Sequence, residues 1–529
     1  MNSISPENSP KFSKAHGKHS NLLELLEAAP GEKVAIILPE TGIRITYDSL
    51  RAQVMTLADT FVKAGIHPGD RIALALPNGL PAIVCFLAAS FVGTATPLNP
   101  GYRYEEFCFY LEDTAARVLV VPPEGGDEAR QAAGTRIPVL TVEIDPGGLV
   151  KMSTPFQGFL DRTENFKEAG RPEREPYPED IALVLHTSGS TGRPKRVPLQ
   201  HFNLAVSARN IVDTYRLNPD DVSLCVMPLF HVHGLVASVL ATLLSGGTVV
   251  VPARFNPLSF WRVVRDYQVT WYSAVPTIHQ LLLTRMGDGS EKPAGTEFLR
   301  FIRSCSAPLS PKMMQRMEEI FEVPVLEAYG MTEAAHQMTS NPLPPGIRKP
   351  GTVGLGTGVQ IGIMDSDGQL LAPGQPGEVV IQGANVIQGY ENNPEANISS
   401  FVKGWFRTGD QGVLDGDGYL RLIGRIKELI NRGGEKISPR EIDEVLLTHP
   451  AVAEAVCFGV SHPTWGEEVA AAVVLQEQVS ESDLLRYCRD RLADFKCPKR
   501  IYVVDSIPRT ATGKIQRRAV AEAFSGNPI

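Results

Sequence analysis

A chain of 529 residues exceeds what one hydrophobic core organises, so two or more domains are expected. Hydrophobic residues make up 43% and charged residues 21%, the balance of an ordinary soluble globular protein. The formal net charge of -8 argues against a nucleic-acid partner, which favours a basic surface.

Residues 1–20 are rich in Ser, Asn, Lys and His, lack a signal-peptide core and read as a disordered tail. Arg71 to Leu76 then reads as a buried strand, Pro81 to Val92 as an apolar helix and Arg117 to Val121 as another strand. The rhythm continues through Ala182 to Leu185, Gly247 to Val251, Val269 to Ala274 and Val323 to Leu326. Strands alternating with helices imply α/β architecture with largely parallel sheets. Gln157 to Asp180 is a polar, proline-rich connection. From Gly351 the texture changes: Gly, Asp and Asn punctuate short runs such as Gln360 to Met364 and Gly377 to Ile381, the pattern of a small, barrel-like antiparallel subdomain. A second domain begins near Gly424. Ser438-Pro439-Arg440-Glu441 is a helix start with Ser at the N-cap and Glu at the third position, and Ser480 with Asp483 repeats it. Ala453 to Val460 and Val469 to Leu475 are strand-like, so the last hundred residues or so read as a compact α+β unit.

The longest apolar run, Gly234 to Leu244, is broken by Ser238 and Thr242 and is too short to span a membrane. The seven cysteines, Cys85, Cys108, Cys225, Cys305, Cys457, Cys488 and Cys497, form no CxxC pair. A disulfide framework and a zinc site are not expected, and a cytoplasmic location is.

Thr187-Ser188-Gly189-Ser190-Thr191-Gly192-Arg193-Pro194-Lys195 follows a buried strand. Glycines let backbone N–H groups turn toward one point and hydroxyls add donors, a concavity suited to phosphate oxygens. No Gly-Lys-Ser/Thr ends it, so it is not a Walker A loop. Read alone, it is equally a surface loop. Tyr329-Gly330-Met331-Thr332-Glu333 offers a ring for a nucleobase, a hydroxyl for a phosphate and a carboxylate for Mg2+. Three further motifs are Trp405 to Asp410, Gly424-Arg425-Ile426-Lys427-Glu428 with Asn431 to Ile437 after it, and Pro508 to Ile515. Each of these three, alone, reads as a turn.

Together and in this order, the five motifs resemble the adenylate-forming superfamily of acyl-CoA synthetases, luciferases and adenylation domains, over roughly Leu22 to Phe524. The resemblance implies an N-terminal ATP- and acyl-binding domain over 21–424 and a mobile C-terminal domain over 425–529. It implies that Thr187, Ser188, Gly189, Ser190, Thr191, Gly192 and Lys195 hold the β- and γ-phosphates of ATP. Ser306, Ala307 and Pro308 run along the adenine, and Tyr329 stacks on it. Thr332 contacts the α-phosphate, Glu333 binds Mg2+, and Asp410 and Arg425 hold the ribose. Lys427 is the hinge, and Lys514 bridges the substrate carboxylate and the α-phosphate. After domain rotation, Gly433, Gly434 and Lys436 line the coenzyme A tunnel. Arg196 departs from the pattern, which carries glycine there; it either adds charge to the phosphate site or faces solvent.

Pro228 to Gly234 (PLFHVHG), Trp271 to Gln280, Phe301 to Ala307 (FIRSCSA), Glu327 to His336 and Glu428 to Ser438 resemble plant and microbial oxalyl-CoA synthetases in particular. Oxalate is a small dianion without an apolar tail, and its distal carboxylate needs hydrogen-bond donors because an unpaired buried charge is costly. His231, Ser306 and His336 are the candidate donors, although His231 at this position also suits a gate. His233 and His279 read as hydrogen-bonded core residues. The implied reaction takes a carboxylic acid, ATP and coenzyme A in a monomer or homodimer, without nucleic acid or membrane. The alternatives are a ligase for another short or aromatic acid, an adenylation enzyme for a carrier protein, a luciferase-like oxygenase and a silent binding protein.

Overall fold

Short runs of β-branched residues flanked by turns become the strands of two large sheets, and the longer apolar segments become the helices between them. The computed structural model describes residues 21–27, 29–153, 175–187, 194–286, 291–510 and 513–524. The first large sheet has nine strands in the spatial order 355–356, 336–340, 325–331, 301–304, 271–274, 222–225, 248–250, 34–38 and 43–46. Its six central strands pair in parallel, from 325–331 through to 34–38. The second has seven, in the order 150–153, 139–144, 118–121, 71–74, 94–97, 181–187 and 195–200, with antiparallel pairs only at its two ends.

The helix Leu80–Val92 is apolar on every side and almost wholly buried, as expected for a helix sandwiched between layers. It packs on the helix Tyr47–Lys63. One continuous core takes in Ile36 and Trp271 of the first sheet, Ile72 and Leu183 of the second, and Phe86 between them. The run His233–Leu240 is wound as a π-helix before turning α-helical at Ala241–Leu244; π-turns concentrate at functional sites. Gly234 is required there, since a Cβ would stand 2.4 Å from the Pro228 carbonyl oxygen.

A third, antiparallel sheet joins Gln360–Met364, Gly377–Gln382 and Trp405–Leu414, with Phe401–Val402 and Leu420–Arg425 beside the last of these. No pairing closes it into a barrel among the described residues. After the single turn Ile426–Glu428, the chain from Ile430 builds a separate five-stranded sheet with helices Pro439–Leu447, Glu481–Arg489 and Arg517–Phe524. It has its own cores, one around Ile442, Leu446 and Val469 and one around Phe458 and Val520. Ser480 caps its helix as expected, accepting from the Asp483 amide. Ser438 does not: the helix starts at Pro439, but the Ser438 hydroxyl donates to the Ile423 carbonyl at 2.7 Å. A tertiary acceptor outcompetes the local amide.

Candidate active site

Ligand sites in α/β sheets lie beyond the carboxyl ends of the parallel strands. Here those ends deliver the motifs. Strand 181–187 ends at Thr187, strand 301–304 leads to Ser306, and strand 325–331 runs through Tyr329 to the turn Thr332–Ala334. Ser188, Gly189, Ser190, Thr191 and Gly192 lie outside the described residues.

Glu333 is buried, and its Oε1 accepts from the Tyr390 hydroxyl at 2.8 Å and the Thr187 hydroxyl at 3.4 Å. Lys195 lies over the Tyr390 ring, 4.4 Å from its centroid. Burial lowers the Lys195 pKa, Glu333 opposes that shift and the Lys427 charge adds to it. On the other wall, strands 405–414 and 420–425 set Asp410 directly opposite Arg425. Arg425 Nε reaches Asp410 Oδ1 at 2.8 Å, while the Tyr329 hydroxyl makes a short bond to Oδ2. Burial raises the Asp410 pKa against the pull of Arg425, Tyr329 and Lys514. Thr332 is buried at the start of the turn that follows the strand carrying Tyr329.

A single protein carboxylate suits Mg2+, which keeps waters and substrate phosphate oxygens as its other ligands. Glu333 has that character: one oxygen is held by Tyr390 and Thr187, and no cluster of three or more metal-ligating side chains exists among the described residues.

The acyl end is a cluster of imidazoles and hydroxyls. His233 Nδ1 lies 2.9 Å from the Ser306 hydroxyl and Nε2 lies 2.6 Å from that of Ser273. The His233 and His336 rings are 5.1 Å apart, and His231 Nδ1 accepts from the His233 amide at 3.1 Å. His336 is buried, and its Nε2 has no hydrogen-bond partner among the described residues. Burial pushes the His231 pKa down to about 4, with Lys514 contributing. Burial and the nearby Arg303 charge hold His233 and His336 well below the ordinary histidine value. All three are therefore neutral. Backbone strain gathers in the same place. Ser306 has φ 70°, Ala335 φ 48° and His336 φ 118°, a conformation non-glycine residues keep only when their surroundings impose it. Gly330 is the reason His336 fits: a Cβ would stand 2.1 Å from the His336 carbonyl oxygen.

Lys514 comes from the C-terminal unit. Its loop is pinned by Thr510, whose hydroxyl accepts the Lys514 amide at 3.1 Å, and it sits against the helix Pro276–Thr284, where a Cβ on Gly513 would be 3.0 Å from the Thr277 hydroxyl. The Lys514 side chain keeps access to solvent but is hemmed in by protein, and burial with Arg425 close by lowers its pKa. It stands near enough to depress His231 and to attract Asp410. Thus Tyr390 and Glu333 link Thr187 and Lys195, Asp410 links Tyr329 and Arg425, and His233 links Ser306 and His336, with Lys514 close to Asp410 and His231 and Lys427 in the linking turn. Ala307 and Pro308 follow Ser306, half-buried and exposed respectively. Gly433, Gly434 and Lys436 are exposed on the hairpin 430–437, where Gly433 meets Trp465 rather than the cleft.

Arg196 neither joins the phosphate cleft nor faces solvent. It donates to the Asp113 carbonyl at 2.7 Å, lies 3.3 Å from its carboxylate and approaches Glu391, which also pairs with Arg71. Sequence reasoning left out Tyr390, which nothing near it in the chain links to Glu333, and took His233 for core only; it is core, but its other face serves Ser306. His279 is buried in the core as expected, packed 5.8 Å from the Tyr272 ring, but neither of its ring nitrogens meets a hydrogen-bond partner among the described residues, so the hydrogen-bonded part of the expectation fails. All seven cysteines are free. No helix among the described residues is long and apolar enough to cross a membrane.

The family model for AMP-binding enzymes matches residues 24–391, and that for the AMP-binding enzyme C-terminal domain matches 441–514. The chain is 48% identical to an oxalate–CoA ligase of Arabidopsis thaliana over 476 residues, covering 88% of this chain and 90% of that one. It is 43% identical to an oxalate–CoA ligase of Saccharomyces cerevisiae over 521 residues, covering 93% and 95%. Among solved structures it resembles ATP-bound MatB of Rhodopseudomonas palustris, with a TM-score of 0.86 at 32% identity over 96% of this chain and 99% of that one.

Proposed function

This chain belongs to the AMP-binding enzyme family as an AMP-forming acid–CoA ligase, and from that premise we propose that its acid is oxalate. The reaction is oxalate + ATP + CoA to oxalyl-CoA + AMP + pyrophosphate. The observation that carries the choice of acid is His336: a buried, neutral imidazole with an unpartnered Nε2, next to a second imidazole that serves Ser306. His231, Ser306 and His336 together offer hydrogen bonds to a polar group, which a second carboxylate needs and an aliphatic tail cannot use. The two relatives named above point the same way.

In the first half-reaction one oxalate oxygen attacks the α-phosphorus of ATP, and the bond to the pyrophosphate oxygen breaks. Both reactants are anions, so positive charge has to be in place beforehand. Lys514 bridges the attacking carboxylate and the α-phosphate, with Thr332 donating to that phosphate. The loop Thr187 to Lys195 cradles the β- and γ-phosphates. Asp410, braced by Arg425, accepts the ribose hydroxyls, while Ser306, Ala307, Pro308 and Tyr329 flank the adenine. Glu333 would hold Mg2+, which supplies charge neutralisation to the phosphates when bound. In the second half-reaction the CoA thiolate attacks the activated carbonyl and AMP leaves. Lys514 withdraws as the unit 425–529 turns about Lys427 against 21–424, bringing Gly433, Gly434 and Lys436 to the pantetheine path. The seven free thiols suit a reducing compartment, the cytoplasm.

The test is AMP formation by purified protein with ATP, Mg2+ and CoA, using oxalate beside malonate, acetate, octanoate and 4-coumarate. Oxalate preference supports the assignment. Turnover of another acid alone retains the ligase and discards oxalate.

A further inference from the structure

Two arginines of one strand region are treated differently by the fold. Arg300 is conventionally neutralised: its Nη1 reaches both oxygens of Asp221 at 2.6 Å. Arg303, three residues on, is fully buried, with 0% exposure, and none of its hydrogen-bond partners among the described residues is a carboxylate. Its Nε donates to the Tyr215 hydroxyl at 2.9 Å, Nη2 to Gln337 Oε1 at 3.0 Å and Nη1 to the Ser273 hydroxyl at 2.8 Å. Burying a guanidinium among neutral acceptors is costly, and sites that bear such a cost are functional candidates.

The sheet register explains why Ser273 is the partner. Strands 271–274 and 301–304 run in parallel with Ser273 directly beside Arg303. Ser273 in turn touches His233 Nε2, and His233 Nδ1 touches Ser306. The direction of this chain follows from donor counting. Arginine only donates, so the Ser273 oxygen accepts, and its one proton points to His233 Nε2. A second Arg303 approach, Nη1 to His233 Nε2 at 3.5 Å, also demands an acceptor there. His233 is neutral, so its single proton resides on Nδ1 and is donated to the Ser306 oxygen. That leaves the Ser306 hydroxyl proton free to point outward, into the acyl end of the cleft.

We propose that Arg303 is a specificity-determining positioning residue: through Ser273 and His233 it orients the Ser306 hydroxyl as a donor and supplies the buried positive charge that favours a second carboxylate on the acid. This rests on the oxalate reading above. The charge cannot come from His231, His233 or His336, which are neutral, and Lys514 is engaged with the reacting carboxylate at the other end. Arg303 is then the cation in reserve behind the pocket, and the dianionic acid is the counter-ion its own surroundings lack.

Two measurements on the full-length protein test this. The first is the ratio of kcat/KM for oxalate to that for glycolate, a monoanion of similar size, in the unmodified protein and in Arg303→Met, Arg303→Lys and Ser273→Ala. Loss of a hydrogen bond that serves a charged group should cost oxalate about 30-fold more than glycolate in Arg303→Met, mainly through KM. Arg303→Lys should recover part of that ratio, and Ser273→Ala, which keeps the charge and cuts the relay, should lose about fivefold. A merely structural role lowers both acids alike, and that result, or no change in the ratio, overturns the proposal. The second is the tautomer of His233 from nitrogen-15 shifts of histidine-labelled protein, assigned with His233→Gln. A proton on Nδ1 is expected, and a proton on Nε2 overturns the relay even if Arg303→Met does not fold. If the unmodified protein shows no preference for oxalate, the substrate reading has failed, and the tautomer alone decides the relay.

Discussion

The phenol of Tyr390 donates to Oε1 of Glu333 across 2.8 Å, and the same ring carries the Lys195 ammonium 4.4 Å from its centroid. One side chain thus orients a carboxylate through its hydroxyl and holds a cation on its face. Tyr390→Phe keeps the ring and removes the proton. The adenylation rate should fall about tenfold, the worth of one hydrogen bond to a charged group, and half-saturation should need more Mg2+. Titrating AMP formation against Mg2+ checks this. An unchanged Mg2+ dependence would detach Tyr390 from the metal role proposed for Glu333.

The role proposed for Lys514 belongs to only one half-reaction. Lys514→Ala should slow adenylation by about 100-fold or more, the scale of losing a charge that stabilises a phosphoryl transition state. Thioester formation from a supplied oxalyl-adenylate should be largely spared. Equal losses in the two half-reactions, measured separately, would remove the case for domain rotation.

His201 carries a pH dependence that geometry makes explicit. Its Nδ1 accepts the Leu22 amide at 3.2 Å, so Nε2 bears the proton and donates to the Ser90 carbonyl at 2.9 Å. Burial pushes its pKa down from 6.5 to about 4. The unfolded chain therefore binds more protons than the folded one between those values, and stability falls as pH drops through that window. The contribution present above pH 6.5 is up to about 3 kcal/mol and is lost progressively toward pH 4. Denaturant unfolding at about pH 7 and about pH 5 should show a smaller difference in His201→Gln. An identical difference would assign the acid sensitivity elsewhere.

Glu327 has the opposite sign. Its Oε1 accepts the Leu309 amide at 3.0 Å, its Oε2 has no partner among the described residues, and burial raises its pKa from 4.5 to about 7, against the attraction of Arg440. The folded state holds the extra proton between those values, so stability is lost as pH rises through about 7. Glu327→Gln preserves the acceptor and removes the charge. It should raise the melting temperature at about pH 8 and leave it nearly unchanged at about pH 4, where the carboxyl is neutral in the folded and largely neutral in the unfolded chain. A gain of equal size at both pH values would contradict the assignment.

The alternation of strands and helices, the antiparallel stretch from Gly351 and the order of the five motifs were legible because each depends on local spacing. The run Gln360 to Met364 forms the strand expected of it, and Pro81 to Val92 the expected helix to within a residue. What stayed hidden depends on partners far along the chain. Arg196 looked like a phosphate ligand or a surface residue because Asp113 and Glu391, which claim it, lie 83 residues before and well beyond it. Ser438 has the local signature of a cap, yet its hydroxyl goes to Ile423. His233 reads as core from its apolar neighbours, and only the fold sets Ser306 on one of its nitrogens and Ser273 on the other. A signal for Arg303 was present, a lone cation inside the strand-forming run FIRS, but its meaning needed Tyr215, Ser273 and Gln337 in view.

The bond from Ser438 to Ile423 has a kinetic meaning. The two residues stand on either side of the turn at Lys427, so a rotation of the C-terminal unit about that turn, as proposed above, would part them and its return would remake the contact. In that proposal the bond is a spring catch on the adenylating posture. A catch of about 1 kcal/mol holds the resting population several-fold toward that side while leaving the release fast. Turnover speed is then tunable by a single hydroxyl far from every reacting atom, and variation at position 438 would alter how long the enzyme dwells between its two chemistries without touching either.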